Sequence, residues 1–448
     1  MTGENHSSDA ASLRVAPLRL RSAVAVFAGQ MTATASRLLG KGSGGMIGGT
    51  IAMKLAPGVL ADLGRGVASV IVTGTNGKST TTRMVRTALE HLGPVASNIN
   101  GDNLPSGITT ALMNNRKAHH AALEVDELHV AHVAGKVKPS AIVLLNLSRD
   151  QLDRVGEIGY VEKRLRDAVD DNPQAVIVAN CDDPLVVSAA ADAQKVIWVA
   201  AGAGWGADSV AYPRGGRVIR DEAGWSLVPT SDGEPLPSLV SRPQPHWRLD
   251  AINLSAPDGG TSATLHGPDG TTYELHLKLP GRANLGNAAQ AVAAAVALGV
   301  APAEAAAAVG KVSEVAGRYS VHDINGRQAR IVLAKNPAGW QETMTMVDPE
   351  VKQIIIGVNG QIPDGQDLSW LWDVDFSRLK ETDRRVVACG ERGADLAVRL
   401  EYAGIPCDLV STPMEAVALM DVGRVDMLLN YTALRDFKRL LDQRGGAA

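Results

Sequence analysis

The sequence predicts an α/β protein in which a central domain with a parallel sheet is followed by a smaller α/β domain. Short apolar runs typical of buried strands alternate with helical patterns. Such alternation produces a parallel sheet with helices on both faces. The rhythm is interrupted between residues 201 and 275 and starts again after residue 317. We therefore expect two separate α/β units.

The strands of the central unit are predicted from continuous apolar runs, which suit strands covered on both faces. These runs are residues 67–73, 121–125, 141–146 and 175–180. Helical patterns lie between them and return at residues 284–298 and 303–309. Residues 201–275 are rich in Gly, Pro, Asp, Ser and Trp, which predicts an inserted β-rich or loop-rich segment.

The C-terminal unit has its own set of predicted strands, at residues 329–333, 353–358, 385–389 and 425–429. A chain of 448 residues fits about three domains. We place an N-terminal helical and Gly-rich segment at residues 1–60 and the central domain, which contains the insert, at residues 61–316. The C-terminal α/β domain then covers residues 317–448.

Composition and charge exclude several classes of protein. Hydrophobic residues make up 45% of the chain, which predicts a soluble globular protein with a full core. The net charge of -4 gives no reason to expect nucleic acid as a partner. The three cysteines are far apart and unpatterned, which argues against a disulfide framework. No run reaches the ~18 apolar residues that a membrane span needs.

The strongest functional signal is Thr-Gly-Thr-Asn-Gly-Lys-Ser-Thr at residues 73–80, between a predicted strand and a predicted helix. The glycines allow backbone N–H groups to close around phosphate oxygens, and the helix N-terminus adds its positive dipole end. Lys78 supplies charge to the phosphates and Ser79 a hydroxyl to Mg²⁺. The predicted nucleotide-binding set is Gly74, Thr75, Asn76, Gly77, Lys78, Ser79 and Thr80.

This motif resembles the ATP loop of the Mur ligases and the folylpolyglutamate synthetases. Further matches follow in the order of the Mur ligase family and span residues 73–319. They are Leu-Glu-Val-Asp at 123–126, the segment at 146–156, Asn-Cys-Asp-Asp-Pro at 180–184, Gly-Arg-Ala-Asn-Leu-Gly-Asn-Ala at 281–288 and Gly-Arg-Tyr at 317–319. The resemblance implies a Mur-ligase-like central ATPase domain that uses ATP and Mg²⁺.

The resemblance also implies roles for single residues. Glu124 holds Mg²⁺ together with Ser79, and it acts with Lys78 in catalysis. Adenine contacts come from Asn284 and Asn287, and Arg318 reaches the phosphates. Each of these residues also has a structural interpretation, such as a solvated strand end for Glu124 or a surface charge for Arg318. Asp126 is expected to share a strand face with Glu124.

The C-terminal region separates the branches of the family. Ordinary Mur ligases carry Asp-x-x-His-Asn-Pro where this chain has Val-Leu-Ala-Lys-Asn-Pro at residues 332–337. The stretches 335–340, 364–376 and 390–404 instead resemble the MurT group, whose members work with a glutaminase, GatD. In that group an aspartate completes the Cys–His pair of the glutaminase. We predict Asp367 for this role, with Asp364 as the alternative, because Pro-Asp-Gly at 363–365 suits a turn.

Two family features are absent from the sequence. MurT relatives often carry a four-cysteine zinc ribbon in the central domain, but residues 212–247 contain no cysteine, so we expect no zinc. Packing is expected to hold this insert, with Trp225 and Trp247 contributing. Arg164 also stands near the position where many Mur ligases carbamylate a lysine to hold Mg²⁺, so no carbamyl-lysine is assigned.

The N-terminal segment weakly imitates a signal peptide, since Arg19 and Arg21 precede a short apolar run. We predict an amphipathic helix instead, because an ATP-dependent reaction belongs in the cytoplasm. The following residues 42–49 are predicted as a Gly-rich loop, with a plain turn and a nucleotide- or substrate-facing role as equal alternatives.

The combined interpretation is an ATP-dependent ligase that amidates the D-glutamate α-carboxylate of lipid II through an acyl phosphate. Ammonia would come from a GatD-like glutaminase, and the lipid-linked substrate implies transient contact with the membrane surface. Two alternatives stay open. One is a Mur-type or folylpolyglutamate-type ligase that adds an amino acid without a glutaminase. The other is an ATPase switch or scaffold without ligase activity.

Overall fold

The computed structural model describes residues 16–38, 46–98, 101–148, 158–202, 209–222, 224–231, 234–254, 260–313, 319–348, 350–380 and 383–445. Within these ranges an N-terminal helical segment leads into a nine-stranded sheet, and a six-stranded sheet follows it. A separate two-stranded hairpin lies within the predicted insert.

Three helices precede the first sheet: α1 (Leu20–Leu38), α2 (Ile47–Leu55) and α3 (Val59–Gly64). The prediction of a loop at residues 42–49 is wrong for Gly48 and Gly49, which lie in the first turn of α2, while residues 42–45 lie outside the described residues. The two glycines serve close packing. A Cβ on Gly48 would lie 2.8 Å from the carbonyl oxygen of Gly29 in α1, and one on Gly49 would overlap the carbonyl of Ser106.

The central unit contains eleven of the described strands and seven helices. The strands are β1 (Ala68–Thr73), β2 (Val95–Ser97), β3 (His120–Glu124), β4 (Ala141–Leu144), β5 (Val176–Asn180), β6 (Val196–Ala200), β7 (Arg217–Asp221), β8 (Gly224–Val228), β9 (Trp247–Asn253), β10 (Thr261–His266) and β11 (Thr272–Leu277). The helices are α4 (Lys78–Leu89), α5 (Pro105–Asn114), α6 (Val130–Val137), α7 (Ile158–Asp170), α8 (Pro184–Ala190), α9 (Arg282–Ala297) and α10 (Pro302–Val309).

The order of the large sheet is β11-β10-β9-β6-β5-β4-β1-β3-β2. Pairing is parallel from β2 to β9, and β10 and β11 add an antiparallel edge. The buried apolar side chains form two clusters, one on each face of the sheet. Helices α4, α9 and α10 belong to one cluster, and α5 to α8 belong to the other. The four predicted strands are confirmed as β1, β3, β4 and β5, whereas β2 and β6 were not predicted.

The C-terminal unit is a second α/β unit with its own six-stranded sheet. Its strands are β12 (Tyr319–Ile324), β13 (Arg327–Leu333), β14 (Gln353–Gly357), β15 (Arg385–Cys389), β16 (Cys407–Leu409) and β17 (Gly423–Leu429). Its helices are α11 (Pro337–Met346), α12 (Gly393–Tyr402), α13 (Pro413–Leu419) and α14 (Tyr431–Gly445). The sheet order is β12-β13-β17-β14-β15-β16, and β13, β14, β15 and β17 confirm the four predicted strands.

The predicted insert divides into two parts. Strands β9 to β11 join the large sheet, and β7 and β8 form the separate hairpin. Trp225 of β8 is buried, its indole N–H donates to the carbonyl oxygen of Cys181 at 2.9 Å, and its ring lies 6.0 Å from that of Tyr212. Beside it, Arg242 pairs with Asp182. Apolar packing and polar contacts therefore join the hairpin to the central unit, as we expected for Trp225.

Trp225→Ala should lower the free energy of unfolding by about 3–5 kcal/mol, because it removes a large buried side chain and leaves a cavity. Denaturant unfolding monitored by circular dichroism measures this change. Ile219→Ala on the same hairpin is the control, since Ile219 is exposed and its loss should cost no more than about 0.5 kcal/mol.

A chelator should leave the midpoint of thermal unfolding unchanged. A large drop with chelator would contradict packing as the means of support.

Candidate active site

The turn between β1 and α4 has the backbone geometry of a phosphate-binding cradle. Gly74 and Gly77 have φ angles of 137° and 87°, and Gly77 is the residue directly before α4. At Gly77 a Cβ would lie 2.8 Å from Oδ1 of Asn287, so only glycine fits. The first N–H groups of a helix have no partner within the helix, and they point toward whatever lies before it. The turn therefore presents donors and a positive dipole end, which suits an anion.

Asn146 holds the outer part of this turn. The carbonyl oxygen of Asn146 accepts from the Thr75 N–H at 2.9 Å, and its Oδ1 accepts from the Asn76 N–H at 2.9 Å. Its Nδ2 donates to the carbonyl oxygen of Asn76, also at 2.9 Å. Thr75 and Ser148 add a reciprocal pair of bonds between hydroxyl and backbone. The loop is thus fixed by the residues that follow β4, so little reordering is needed on binding.

Lys78 lies along the loop and faces an acid. Its Nζ donates to the carbonyl oxygens of Gly74 and Thr75 at 2.6 and 3.3 Å, and it pairs with Oε2 of Glu127 at 3.0 Å. Both charged side chains are largely shielded from solvent. Sequence reasoning did not single out Glu127. Glu127 comes directly after Asp126 in the sequence. The available signal was that it is the third acid in the segment 124–127, which begins with the predicted metal ligand Glu124.

Glu124 lies beside the phosphate loop, as the resemblance implied. It ends β3, where it pairs in register with Val72 of β1, and it is buried. Asn98 fixes its backbone with two bonds of 2.8 Å. The interpretation of Asp126 as a neighbour on the same strand face is wrong, because β3 ends at Glu124 and Asp126 caps the next turn by accepting from the Leu128 N–H.

The donor set fits Mg²⁺ bound together with phosphate. In the described part of the chain, no group of three or more His, Cys, Asp or Glu side chains is placed to hold a metal ion. Mg²⁺ is commonly bound by one or two protein groups, with water and substrate phosphates completing the octahedron. Glu124 and the hydroxyl of Ser79 at the start of α4 match that pattern. Their assignment as metal ligands stays a prediction.

The cradle opens into a cavity of about 960 Å³ between the central and C-terminal units. Asn284 and Asn287, at the start of α9, both line it. Asn284 donates to the carbonyl oxygen of Pro280 at 2.6 Å, and Asn287 lies against Gly77. The structure therefore places both residues in the cavity and Asn287 against the phosphate loop, while their contact with adenine stays a prediction. Arg318 lies outside the described residues, so its predicted contact with phosphate stays a prediction.

The segment after β5 forms another wall of the cavity. Asp183 is buried and caps α8 by accepting from the N–H groups of Leu185 and Val186. It also accepts from the Leu147 N–H at 2.8 Å, which ties this wall to the segment after β4. Burial raises the pKa of Asp183 to about 6, against the lowering effect of these backbone bonds. Asp183 is best explained as a structural clamp.

The C-terminal unit closes the cavity through the first turns of α11. Asn336 caps this helix by accepting from the Gly339 N–H at 2.8 Å, and its Oδ1 also accepts from Nδ2 of Asn76 at 3.3 Å. Two turns further along, Oε1 of Glu342 accepts from the Ala283 N–H at the start of α9 at 2.9 Å. Burial raises the pKa of Glu342. The phosphate loop and the start of α9 therefore both bond directly to one helix of the second unit.

The two aspartates considered for the C-terminal site differ sharply in environment. Asp364 is buried, accepts from the N–H groups of Tyr431 and Thr432 at 3.0 and 2.8 Å, and also bonds the Thr432 hydroxyl. It caps the start of α14, and burial raises its pKa. Asp367 is exposed, and the backbone N–H of Ser369, 2.8 Å away, lowers its pKa. Only Asp367 is accessible from outside the chain.

Two family models match the chain. The Mur ligase middle domain matches residues 72–219, and the MurT ligase C-terminal domain matches residues 333–434. The chain is 27% identical to the lipid II isoglutaminyl synthase (glutamine-hydrolyzing) subunit MurT of Streptococcus pneumoniae (strain ATCC BAA-255 / R6), over 95% of this chain and 98% of the relative. The same subunit from Staphylococcus aureus (strain N315) is 25% identical over 87% and 90% of the two chains.

The chain carries a Mur ligase middle domain and a MurT ligase C-terminal domain. Solved structures agree with this assignment at the level of fold. MurF from Acinetobacter baumannii superposes with a TM-score of 0.65 at 18% identity, over 88% of this chain and 80% of MurF. MurF ligase from Thermotoga maritima, in complex with ADP, gives 0.60 at 16% identity, over 87% and 83%. The predicted family and fold class are confirmed.

Four residues of this Mur ligase family site were missed as site residues by sequence reasoning: Asn146, Glu127, Asn336 and Glu342. Asn146 and Asn336 each lay inside a quoted motif, yet their hydrogen bonds join segments far apart in sequence. Glu342 had no signal in the sequence, because an acid inside a helix is ordinary. Its role depends entirely on how the two units pack.

Gly77→Ala should weaken binding of Mg-ADP by roughly tenfold or more. An alanine at this left-handed φ costs about 1–2 kcal/mol, and its Cβ would also displace Asn287 from the cradle. Isothermal titration calorimetry measures the affinity. Gly135→Ala in α6 is the matched control, since a Cβ there meets nothing within 4 Å. Unchanged affinity in Gly77→Ala would show that nucleotide binds elsewhere.

Proposed function

We propose that this Mur ligase family member converts the D-glutamate α-carboxylate of lipid II into an amide, using ATP and ammonia from a GatD-like glutaminase. One observation carries the proposal. A phosphate cradle faces a cavity that a MurT-type C-terminal domain closes, in a chain that matches MurT subunits along nearly its whole length. The missing Asp-x-x-His at residues 332–335 separates the chain from ligases that add an amino acid.

The cradle and its neighbours supply the binding groups for ATP. The amides at the start of α4 would hold the phosphates, and Lys78 would exchange its bond with Glu127 for a phosphate oxygen. Ser79 and Glu124 would hold Mg²⁺, which would neutralise charge on the β- and γ-phosphates. Asn284 and Asn287 line the same cavity, which supports their place beside the base. A cavity of about 960 Å³ has room for a nucleotide and the reacting carboxylate.

The reaction needs two transfers. A carboxylate oxygen first attacks the γ-phosphorus, so that an acyl phosphate forms and ADP leaves. The nitrogen of ammonia then attacks the carbonyl carbon, phosphate leaves, and loss of a proton gives the amide. Water competes with ammonia for the acyl phosphate, so exclusion of solvent protects this intermediate from hydrolysis. The closure of the cavity by Asn336, which caps α11, and by Glu342 within α11 supports this role for the C-terminal unit.

A groove on the C-terminal unit suits the glutaminase partner. Asp367 and Trp372 line it, and its volume is about 430 Å³. Trp372 is exposed and contacts Tyr402 edge to face, with ring centres 5.4 Å apart. Exposed aromatic rings beside a charged group are typical of protein interfaces. Asp367 would orient a histidine of the partner and stabilise its cation, as the acid of a catalytic triad does.

The proposed cellular location follows from the two substrates. ATP requires a cytoplasmic site, and a lipid-linked acceptor requires at least transient contact with the inner membrane surface. Among the described residues no helix is long and apolar enough to cross a bilayer. We therefore propose a cytoplasmic enzyme that visits the membrane surface.

Asp367→Asn should abolish amidation driven by glutamine and spare amidation driven by added ammonia, because only ammonia production depends on the partner's histidine. The assay uses the complex purified with its glutaminase, and mass spectrometry follows conversion of the lipid II carboxylate to the amide. Asp375→Asn is the matched control. Asp375 is likewise exposed and accepts from the N–H of the serine two residues later, at 2.9 Å.

The results separate the parts of the proposal. If Asp367→Asn keeps activity with glutamine, the assignment of the aspartate is wrong. If the wild-type complex fails to amidate lipid II with glutamine and also fails with added ammonia, the proposed reaction is wrong. An Asp375→Asn variant that loses glutamine-driven activity would indicate general damage to the surface.

A further inference from the structure

Helix α1 carries an apolar stripe on its outer face. Its four side chains follow one another at spacings of four and three residues, which places them on one side of a helix. Leu20, Val24, Phe27 and Met31 are 83%, 59%, 67% and 59% exposed. Ala25 and Val26 on the opposite side are buried. A row of large apolar side chains in contact with water marks an interaction surface.

Basic residues flank one end of this stripe. Arg19 and Arg21 lie at the start of α1, and the Nε of Arg21 donates to the carbonyl oxygen of Leu55 at 3.0 Å. This bond places the end of α2, with exposed Lys54 and Leu55, beside the start of α1. We call Leu20, Val24, Phe27, Met31, Arg19, Arg21 and Lys54 the α1 surface.

The sequence around the α1 surface is one-sided in charge. Residues 16–61 contain five basic residues and no Asp or Glu, whereas the whole chain has a net charge of -4. The first carboxylate after this stretch, Asp62, is buried and accepts from the Ser22 hydroxyl at 2.6 Å. It also pairs with Arg65 at 3.1 Å and, more distantly, with the exposed Arg19 at 3.6 Å. The stretch therefore combines exposed apolar groups with an excess of positive charge, although the protein as a whole is acidic.

We propose that the α1 surface binds the anionic face of a lipid bilayer. An amphipathic helix with cations beside its apolar face lies in the plane of a membrane, and each Lys or Arg near an anionic surface favours binding by roughly fivefold. A second copy of this surface is a poorer occupant, because residues 16–61 contain no Asp or Glu that could pair with these cations. The purpose of the contact rests on the proposed function, since a lipid-linked substrate lies in such a bilayer.

A series of contacts joins the helices of the α1 surface to the candidate active site. Helix α2 packs on α5, where the Gly49 N–H donates to the hydroxyl of Thr110 at 2.9 Å. Helix α5 begins after a loop in which the carbonyl of Asp102 accepts from Asn98. Asn98 also bonds the backbone of Glu124. Helices α2 and α5 thus connect the α1 surface to the loop beside Glu124. A bilayer bound there would hold a lipid-linked carboxylate near the cradle.

Vesicle flotation tests this inference on the full chain with its glutaminase. Wild-type protein should float with vesicles of phosphatidylglycerol and phosphatidylethanolamine, and far less with phosphatidylcholine alone. Val24→Gln with Phe27→Gln should reduce the bound fraction at least roughly tenfold by removing apolar area, and Lys54→Glu should reduce it in a salt-dependent way. Val321→Gln is the matched control, because Val321 is 55% exposed on the C-terminal unit.

The other possible occupants give different results. Equal flotation of the double variant and wild type would overturn the inference. Size-exclusion chromatography with light scattering shows whether the double variant loses the glutaminase or self-association. Either loss, with unchanged flotation, would also overturn the inference. Amidation of detergent-solubilised lipid II separates the two proposals. If the wild-type protein floats with vesicles but does not amidate lipid II, the membrane-binding inference stands and the proposed function is wrong. If it amidates lipid II but does not float, only the membrane-binding inference is wrong.

Discussion

The tight turn at Gly77 is the constraint on which the rest of the site depends. The chain must leave β1 and enter α4 within four residues, and the positive φ of Gly77 makes this possible. Asn287 fills the space where a side chain would otherwise stand. This contact therefore fixes the start of α4 and brings α9 to the phosphate loop. The cavity, the proposed base contacts and the position of Lys78 all follow from that arrangement.

The second unit completes the site through polar contacts at two points. Asn336 bonds Asn76 of the phosphate loop, and Glu342 caps the start of α9. Asn336 caps α11 and Glu342 lies within it, so a movement of the C-terminal unit would open the cavity and break both contacts together. The same unit presents Asp367 on its outer side. In the proposed function, one domain would therefore connect carboxylate activation with the supply of ammonia.

Sequence reasoning predicted eight strands from continuous apolar runs, and all eight are present. It missed β6 (Val196–Ala200), whose alanine and tryptophan neighbours continue into the irregular insert. The cradle was predicted because its chemistry is local. The partners of that cradle were not, since the bonds of Asn146 and Asn336 join distant segments. Asp126 was misplaced because β3 ends at Glu124, and a strand end leaves no mark in an apolar run.

The central claim is that the cradle at residues 74–80 activates a carboxylate by phosphoryl transfer. Transfer of oxygen isotope tests it most directly. Lipid II whose D-glutamate α-carboxylate carries ¹⁸O is incubated with the complex, ATP and ammonia, and the released phosphate is analysed by mass spectrometry. The account predicts one ¹⁸O atom in phosphate for each amide formed, and neither product with Lys78→Ala. Amide formed with unlabelled phosphate would contradict it.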